Sequence, residues 1–296
     1  MLPTFLGLGA PKAATTWLAR CLDEHPSVFI TDVKETEYFS WRHTMQDLGA
    51  YKEHFRAAGP SAEAVGEIST SYLHWEGTPD RAHAVVPEAH LFASLRDPVE
   101  QIHSHYWHLR RQNFHQQQRS RPASLEEALD LYPEKLLRPA RYAEHLARWL
   151  TVYDRDQVHV IFYEDIQNRP DDVVENLYRF LNVDASFRPS VLKVQDRSVR
   201  RGTSPRSETL ERMYTRLYDI LTQYVYFPLR HTIGRRVAEA IKNRVGVREM
   251  LEGIFRRDGY PDMAPDLQAD LRSEFADDIR DLETLTGRDL QHWIDP

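Results

Sequence analysis

Five short β-prone runs, Phe5–Leu8, Val28–Ile30, Ala64–Ile68, His90–Leu95 and Val158–Phe162, take turns with segments of helical periodicity. The helical segments are Thr15–Asp23, Leu48–Ala57, Asp80–Val86, Val99–Gln118, Leu125–Leu131, Arg141–Tyr153 and Asp171–Leu181. Short runs that are largely apolar mark strands covered on both faces. Strands alternating with helices supply that cover as crossovers, so the expectation is an α/β fold with a buried parallel sheet flanked by helices. A length of 296 residues accommodates this as one large domain.

Beyond residue 190 the pattern changes. Leu192–Glu208 carries Lys193, Arg197, Arg200, Arg201 and Arg206 with little apolar periodicity and reads as a basic loop. In Thr209–Met250, the residues Leu210, Met213, Leu217, Leu221 and Tyr224 fall at helical spacings. Pro228 is expected to break or kink that helix. Pro265–Gly287 reads as two short amphipathic helices. No firm boundary is visible, so the expectation is one domain over 1–296 with a helical C-terminal extension.

The formal net charge is −7, which argues against nucleic acid as a partner. The single cysteine, Cys21, excludes an internal disulfide and fits a reducing, cytoplasmic setting. No apolar run is long enough to span a bilayer.

The densest chemistry follows the first run. In Pro11-Lys12-Ala13-Ala14-Thr15-Thr16-Trp17 a strand passes through a short loop into a helix. A helix start offers unpaired N–H groups and partial positive charge, and so is suited to anions. Lys12 adds a full charge, and the hydroxyls of Thr15 and Thr16 add donors. The segment is not a Walker A loop, which needs GxxxxGK[ST]. A second signal is Arg96-Asp97-Pro98, where a strand gives way to a helix that carries Ser104. The Arg96 guanidinium fork suits a phosphate. Without the first loop beside it, the same triplet would read as a buried Arg–Asp pair capping a helix. A third signal is Lys34-Glu35-Thr36-Glu37-Tyr38-Phe39, where a loop carboxylate can take a proton from an attacking hydroxyl.

PKAATTWL followed by RDP…S-x-Y resembles the sulfotransferases that use 3′-phosphoadenosine 5′-phosphosulfate (PAPS), in motif pattern the heparan-sulfate and bacterial branch. The resemblance covers Pro3–Gly202 and Asp281–Trp293. It implies a P-loop-like sheet and sulfuryl transfer from PAPS, with PAP as product. Lys12 and the amides of Ala13, Ala14, Thr15, Thr16 and Trp17 would hold the 5′-phosphosulfate, and Arg96 and Ser104 the 3′-phosphate. Glu35 in KETEYF matches the family's catalytic glutamate; Glu37, His105 and His25 remain alternatives. Tyr163, in the family's YEDL-like element, would lie near the adenosine. Arg200, Arg201 and Gly202 match a basic-Gly segment closing over the 3′-phosphate. The family has glycine at the position of Ala14, so the loop is expected to avoid positive φ there. Ile68 replaces a family lysine, leaving Lys34 or a basic-loop arginine to supply that charge.

The stretch of about 205–255 is not explained by the resemblance. It is open between a lid, an acceptor wall, a homodimer surface and, most simply, extra core helices. The acceptor, a small molecule or a glycan with a hydroxyl or amine, is not specified. Metal independence is expected, because the histidines at 103, 105 and 108 lack a metal-binding spacing. The rival readings are a P-loop phosphotransferase and a non-catalytic nucleotide-binding module.

Overall fold

The structure is a computed structural model. It describes residues 1–43, 47–111, 122, 124–192, 203–205, 213, 216 and 256–295. The chain divides into two compact units, Met1–Val199 with Met263–Pro296, and Arg200–Asp262.

The first unit is built on a five-stranded sheet. Its strands are β1 (Phe5–Gly9), β2 (Val28–Ile30), β3 (Ala64–Ile68), β4 (His90–Leu95) and β5 (Val158–Phe162). They lie in the order β2-β3-β1-β4-β5 and every pairing is parallel. Parallel neighbours need crossovers. These are α1 (Thr15–Asp23), α2 (Leu48–Glu53), α3 (Thr78–Val85), α4 (Pro98–Arg111), α5 (Leu125–Leu131), α6 (Pro133–Leu136) and α7 (Tyr142–Trp149). After β5 come α8 (Tyr163–Asn168), α9 (Pro170–Phe180), α10 (Pro265–Thr286) and α11 (Gln291–Ile294).

The period of two in each strand divides the core. Phe5, Ile68, Phe92 and Ile161 face one layer, where they pack with Leu18 and Leu22 of α1 and Val174, Leu177 and Tyr178 of α9. Leu6, Leu8, Val65, Leu91 and Ala93 face the other, with Ile102 of α4, Trp149 of α7 and Phe275 and Ile279 of α10. Gly66 is required where β3 meets β1: a Cβ there would lie 2.4 Å from the Phe5 carbonyl oxygen.

All five strands lie where the sequence places them, β1 running one residue further. Pro265–Gly287 departs from expectation: it is one helix of 22 residues, not two. No Gly or Pro interrupts it after its first residue. Leu271, Phe275, Ile279 and Leu282 form a single buried stripe along it. Gly287, at φ 68°, ends it in the left-handed conformation that glycine tolerates best. The short α6, α8 and α11 carry no periodicity that a sequence reading could register. In α4, residues Pro98–Arg111 are helical, and the remainder of the expected helix lies outside the described residues.

In the second unit, Thr203–Pro205 (β6) pairs antiparallel with Arg256–Asp258 (β7). Most of the expected helix Thr209–Met250 lies outside the described residues. No described helix is long and apolar enough to cross a membrane.

Candidate active site

The loop after β1 is fixed by its neighbours. Ala10 N–H donates to the Ser94 carbonyl at 2.7 Å. The Ser94 hydroxyl, on β4, donates to the Ala13 carbonyl at 2.5 Å. Gln101 Nε2, on α4, donates to the Pro11 carbonyl at 3.1 Å. With the Pro11 and Ala13 carbonyls committed to β4 and α4, the amide edge of the loop is what remains for an anion. Lys12 and Ala14 adopt left-handed backbone, φ 66° and 64°. Such turns gather successive N–H groups into an anion-binding hollow.

Ala14 thus corrects the sequence expectation: the alanine takes the conformation the family's glycine would favour, at about 1–2 kcal/mol. Its carbonyl accepts from Trp17 N–H at 2.9 Å and Leu18 N–H at 3.1 Å, which starts α1. This corrects a second expectation, since the Trp17 amide is already committed and the usable amides end at Thr16. Thr15 is buried and Thr16 exposed.

The carboxylate loop meets this loop directly. Lys34 Nζ donates to Thr16 Oγ1 at 2.6 Å and stands 3.9 Å from Glu35 Oε1. Burial pushes the Lys34 ammonium down, opposed by Glu35. Glu35 itself has left-handed backbone, φ 64°. Its N–H donates to the Ile68 carbonyl at 3.2 Å, and its Oε2 accepts from Thr70 Oγ1 at 2.9 Å. Gly9 makes room for this segment: at φ 131°, a Cβ would come within 2.6 Å of the Thr70 carbonyl oxygen. The Ile68 side chain is buried against Gly7 and Phe92, so an apolar group fills the site of the family lysine. Lys34 places an ammonium beside Glu35.

The end of β3 supplies a hydroxyl network. The consecutive hydroxyls of Ser69, Thr70 and Ser71 donate to Glu67, Glu35 and Glu37 respectively. Glu67, fully buried, also accepts from Thr36, Tyr51 and Tyr72 at 2.6, 2.7 and 2.8 Å. In sequence this segment stands out by Ile68 in place of the family lysine, and the resemblance gives its hydroxyls no role. Three consecutive hydroxyl residues, Ser69-Thr70-Ser71, directly after a strand end are the signal that could have found them.

On the other side of β1, Arg96 leaves the end of β4 with its guanidinium 4.7 Å from the centre of the Tyr163 ring. Its Nη2 lies 3.0 Å from Glu100. The Arg–Asp capping alternative does not hold. Asp97 does cap α4, accepting from Val99 N–H at 2.9 Å, but its cationic partner is Arg272 of α10 at 3.2 Å. Burial pushes the Asp97 carboxyl up, opposed by Arg272. Ser104 is buried on α4. Tyr163 opens α8, and burial raises its phenol, opposed by Arg96.

His105 follows Ser104, and burial pushes its ring down to about 3, with His108 and Lys12 adding to the effect. It is therefore neutral near pH 7. His25 is occupied: Nδ1 accepts from Ser27 N–H at 3.1 Å, Nε2 bonds the Asp184 carbonyl at 3.0 Å, and Tyr178 and Phe187 meet its ring edge-on. It is a core histidine. Arg200, Arg201 and Gly202 lie outside the described residues. Among the described residues, no group of three or more His, Cys, Asp or Glu is arranged to hold a metal ion.

Residues 3–204 match the family profile described as "Sulfotransferase domain". The chain is 28% identical over 207 residues to a bifunctional heparan sulfate N-deacetylase/N-sulfotransferase of Drosophila melanogaster, covering 62% of this chain and 20% of that protein. It thus spans about a fifth of that relative's length. It is 26% identical over 254 residues to carbohydrate sulfotransferase 15 of Rattus norvegicus, covering 62% of this chain and 44% of that protein. The crystal structure of a sulfotransferase from Alicyclobacillus acidocaldarius superposes with a TM-score of 0.69 at 26% identity, covering 99% of both chains.

Proposed function

The chain belongs to the sulfotransferase domain family, and from that premise we propose that it transfers a sulfuryl group from PAPS to a hydroxyl or amine, with Glu35 as general base. When bound, PAPS supplies the activated sulfuryl group and leaves as PAP. The residues present suit that donor. The amides of Ala13–Thr16 and the Lys12 ammonium can hold its 5′ end. Arg96 and Ser104 can hold its 3′-phosphate, with Tyr163 beside Arg96. Glu35 takes the proton from the attacking oxygen or nitrogen as the new bond to sulfur forms. Lys12 neutralises the charge that develops on the departing phosphate oxygen. A sulfuryl group carries less charge than a γ-phosphate, so a lysine and a helix start suffice without a divalent cation.

One observation carries this reading. Lys34 bonds Thr16 and faces Glu35, joining the anion-binding loop and the carboxylate loop in one site. The experiment is a transfer screen with radiolabelled PAPS over phenols, aliphatic alcohols, amines and glycans, run with and without chelator. Label should appear in one class, chelator should not stop it, and Lys12→Ala should. PAP binding with no transfer to any class would favour a non-catalytic module. Strict dependence on a divalent cation would favour phosphotransferase-like chemistry.

A further inference from the structure

Lys34 makes its closer contact to a neutral group. Its Nζ donates to Thr16 Oγ1 at 2.6 Å, whereas the carboxylate of its own neighbour, Glu35, stands 3.9 Å away. Charge alone would bring an ammonium to the carboxylate. Glu35 instead accepts from the other side, from Thr70 Oγ1 at 2.9 Å. The backbone is tied on both flanks of Lys34: Val33 N–H donates to Thr31 Oγ1 at 3.2 Å, and Glu35 N–H donates to the Ile68 carbonyl at 3.2 Å. A lysine gives up much rotamer freedom to be held in one place.

The direction of the Lys34 bond decides what Thr16 can do. An ammonium has three donors and no acceptor, so Thr16 Oγ1 receives. A hydroxyl has one proton, and with its oxygen receiving from a cation that proton is left as a strengthened donor. Among the described residues no group accepts it. Thr16 is the second residue of α1 and is exposed, and the next amide, that of Trp17, is committed to the Ala14 carbonyl. The Thr16 hydroxyl is thus the donor that extends the anion loop toward the carboxylate loop. A group in transit from donor to acceptor crosses that interval, between the loop that holds the donor and the carboxylate that takes the acceptor's proton. Lys34 spans the same interval, with Thr16 on one side and Glu35 on the other.

We propose that Lys34 is a positioning residue for the transferring group: it holds the Thr16 hydroxyl as a donor aimed at a sulfuryl oxygen of bound PAPS. This rests on the sulfotransferase reading and on Glu35 as base. Burial lowers the Lys34 ammonium, opposed by Glu35, and a partly desolvated cation polarises its hydroxyl partner more strongly than a solvated one. The acceptor's proton goes to Glu35, its electron pair forms the bond to sulfur, and the old sulfur–oxygen bond breaks with its electrons on PAP. Lys34 and Thr16 keep their own protons throughout.

The test uses the full chain and the variants Lys34→Met, Thr16→Val, Thr16→Ser and the Lys34→Met/Thr16→Val double variant. The probe is radiolabelled PAPS, with water as acceptor and sulfate release as readout, alongside PAP calorimetry and thermal melting. Lys34→Met and Thr16→Val should each lower the rate of release by about tenfold to a hundredfold, the loss of one hydrogen bond to a charged group. PAP has no sulfuryl group, so its affinity should stay within about twofold in every variant. The double variant should lose no more than about threefold beyond the larger single loss, because both changes remove one arrangement. Thr16→Ser, which keeps the hydroxyl, should recover most of what Thr16→Val loses. Losses that multiply in the double variant overturn the proposal, because Lys34 would then act without Thr16. A fall in melting temperature with a matching loss of PAP affinity also overturns it, because Lys34 would then only brace the fold. Variants with wild-type release overturn this proposal alone. A wild type that neither binds PAP nor releases sulfate overturns the sulfotransferase reading and this proposal with it.

Discussion

Glu35→Gln separates proton abstraction from packing, because the structure makes the two effects very different in size. Glutamine keeps the side-chain shape, and its carbonyl can still accept the Thr70 hydroxyl now 2.9 Å from Oε2. Among the described contacts, the one the fold loses is the Lys34–Glu35 ion pair. At 3.9 Å, with side chains 42% and 35% exposed, that pair is loose and well solvated. Exposed pairs contribute about 0.2–1 kcal/mol, and this geometry belongs at the low end. The unfolding midpoint should then shift by no more than about 1–2 °C. The chemical step loses a positioned base, worth about 10²–10⁴ in rate or roughly 3–5.5 kcal/mol. The assay is PAPS turnover with the acceptor class returned by the screen, alongside PAP calorimetry and thermal melting. Turnover should collapse while PAP affinity and melting hold. Wild-type turnover at neutral pH would refute the assignment. A large fall in melting temperature would refute the premise that Glu35 is a loosely held surface partner.

Lys12→Ala should leave the fold intact and cost about 3–4 kcal/mol of transition-state stabilisation, measured as kcat/KM for PAPS. Arg96→Ala should weaken PAP binding more than Ser104→Ala does, because a charged fork outweighs a neutral hydroxyl; equal affinity of the wild type for PAP and AMP by calorimetry would contradict a 3′-phosphate site. Arg272→Met leaves Asp97 buried without its cation, and breaking such a pair costs about 3–5 kcal/mol, read as denaturant midpoint. The stability profile should fall on the acid side. Burial lowers His74 and His105 to about 3 and His145 to about 4. The native rings stay neutral while the unfolded chain takes up protons, so stability is lost as pH falls from about 6.5 toward 4, each ring contributing up to about 1.4 kcal/mol per pH unit. A midpoint that stays flat or rises over that interval would count against it.

The strands were readable because a buried parallel sheet writes itself as short apolar runs, and Val28–Ile30, three residues long, was still bounded correctly. The anion loop was readable because Lys12, two threonines and a helix start are adjacent in sequence. The conformation of Ala14 was not readable: residue identity argued against positive φ, and tertiary bonds from Ser94 and Gln101 imposed it. Those two residues act on the loop from 81 and 90 positions away, a separation no local pattern encodes. Pro265–Thr286 was split because its polar residues interrupt the apolar stripe, although helical geometry keeps that stripe on one face. The partner of Asp97 was missed for the same reason as Ser94: Arg272 lies 175 residues on.

The strand order has a consequence for when each half of the site is ordered. β1, which carries the anion loop, is the middle strand and is laddered on both sides. The carboxylate loop springs from β2, a three-residue strand at the sheet's edge with half-buried side chains. Local opening follows the number of bonds that must break, so the edge opens at lower free energy than the centre. Amides of 28–40 should therefore exchange with solvent deuterium well before those of Phe5–Gly9. The loop proposed to cradle the donor is then a standing feature of the fold, whereas Glu35, the proposed base, is held by a hydroxyl contact from Thr70 that re-forms each time the edge closes.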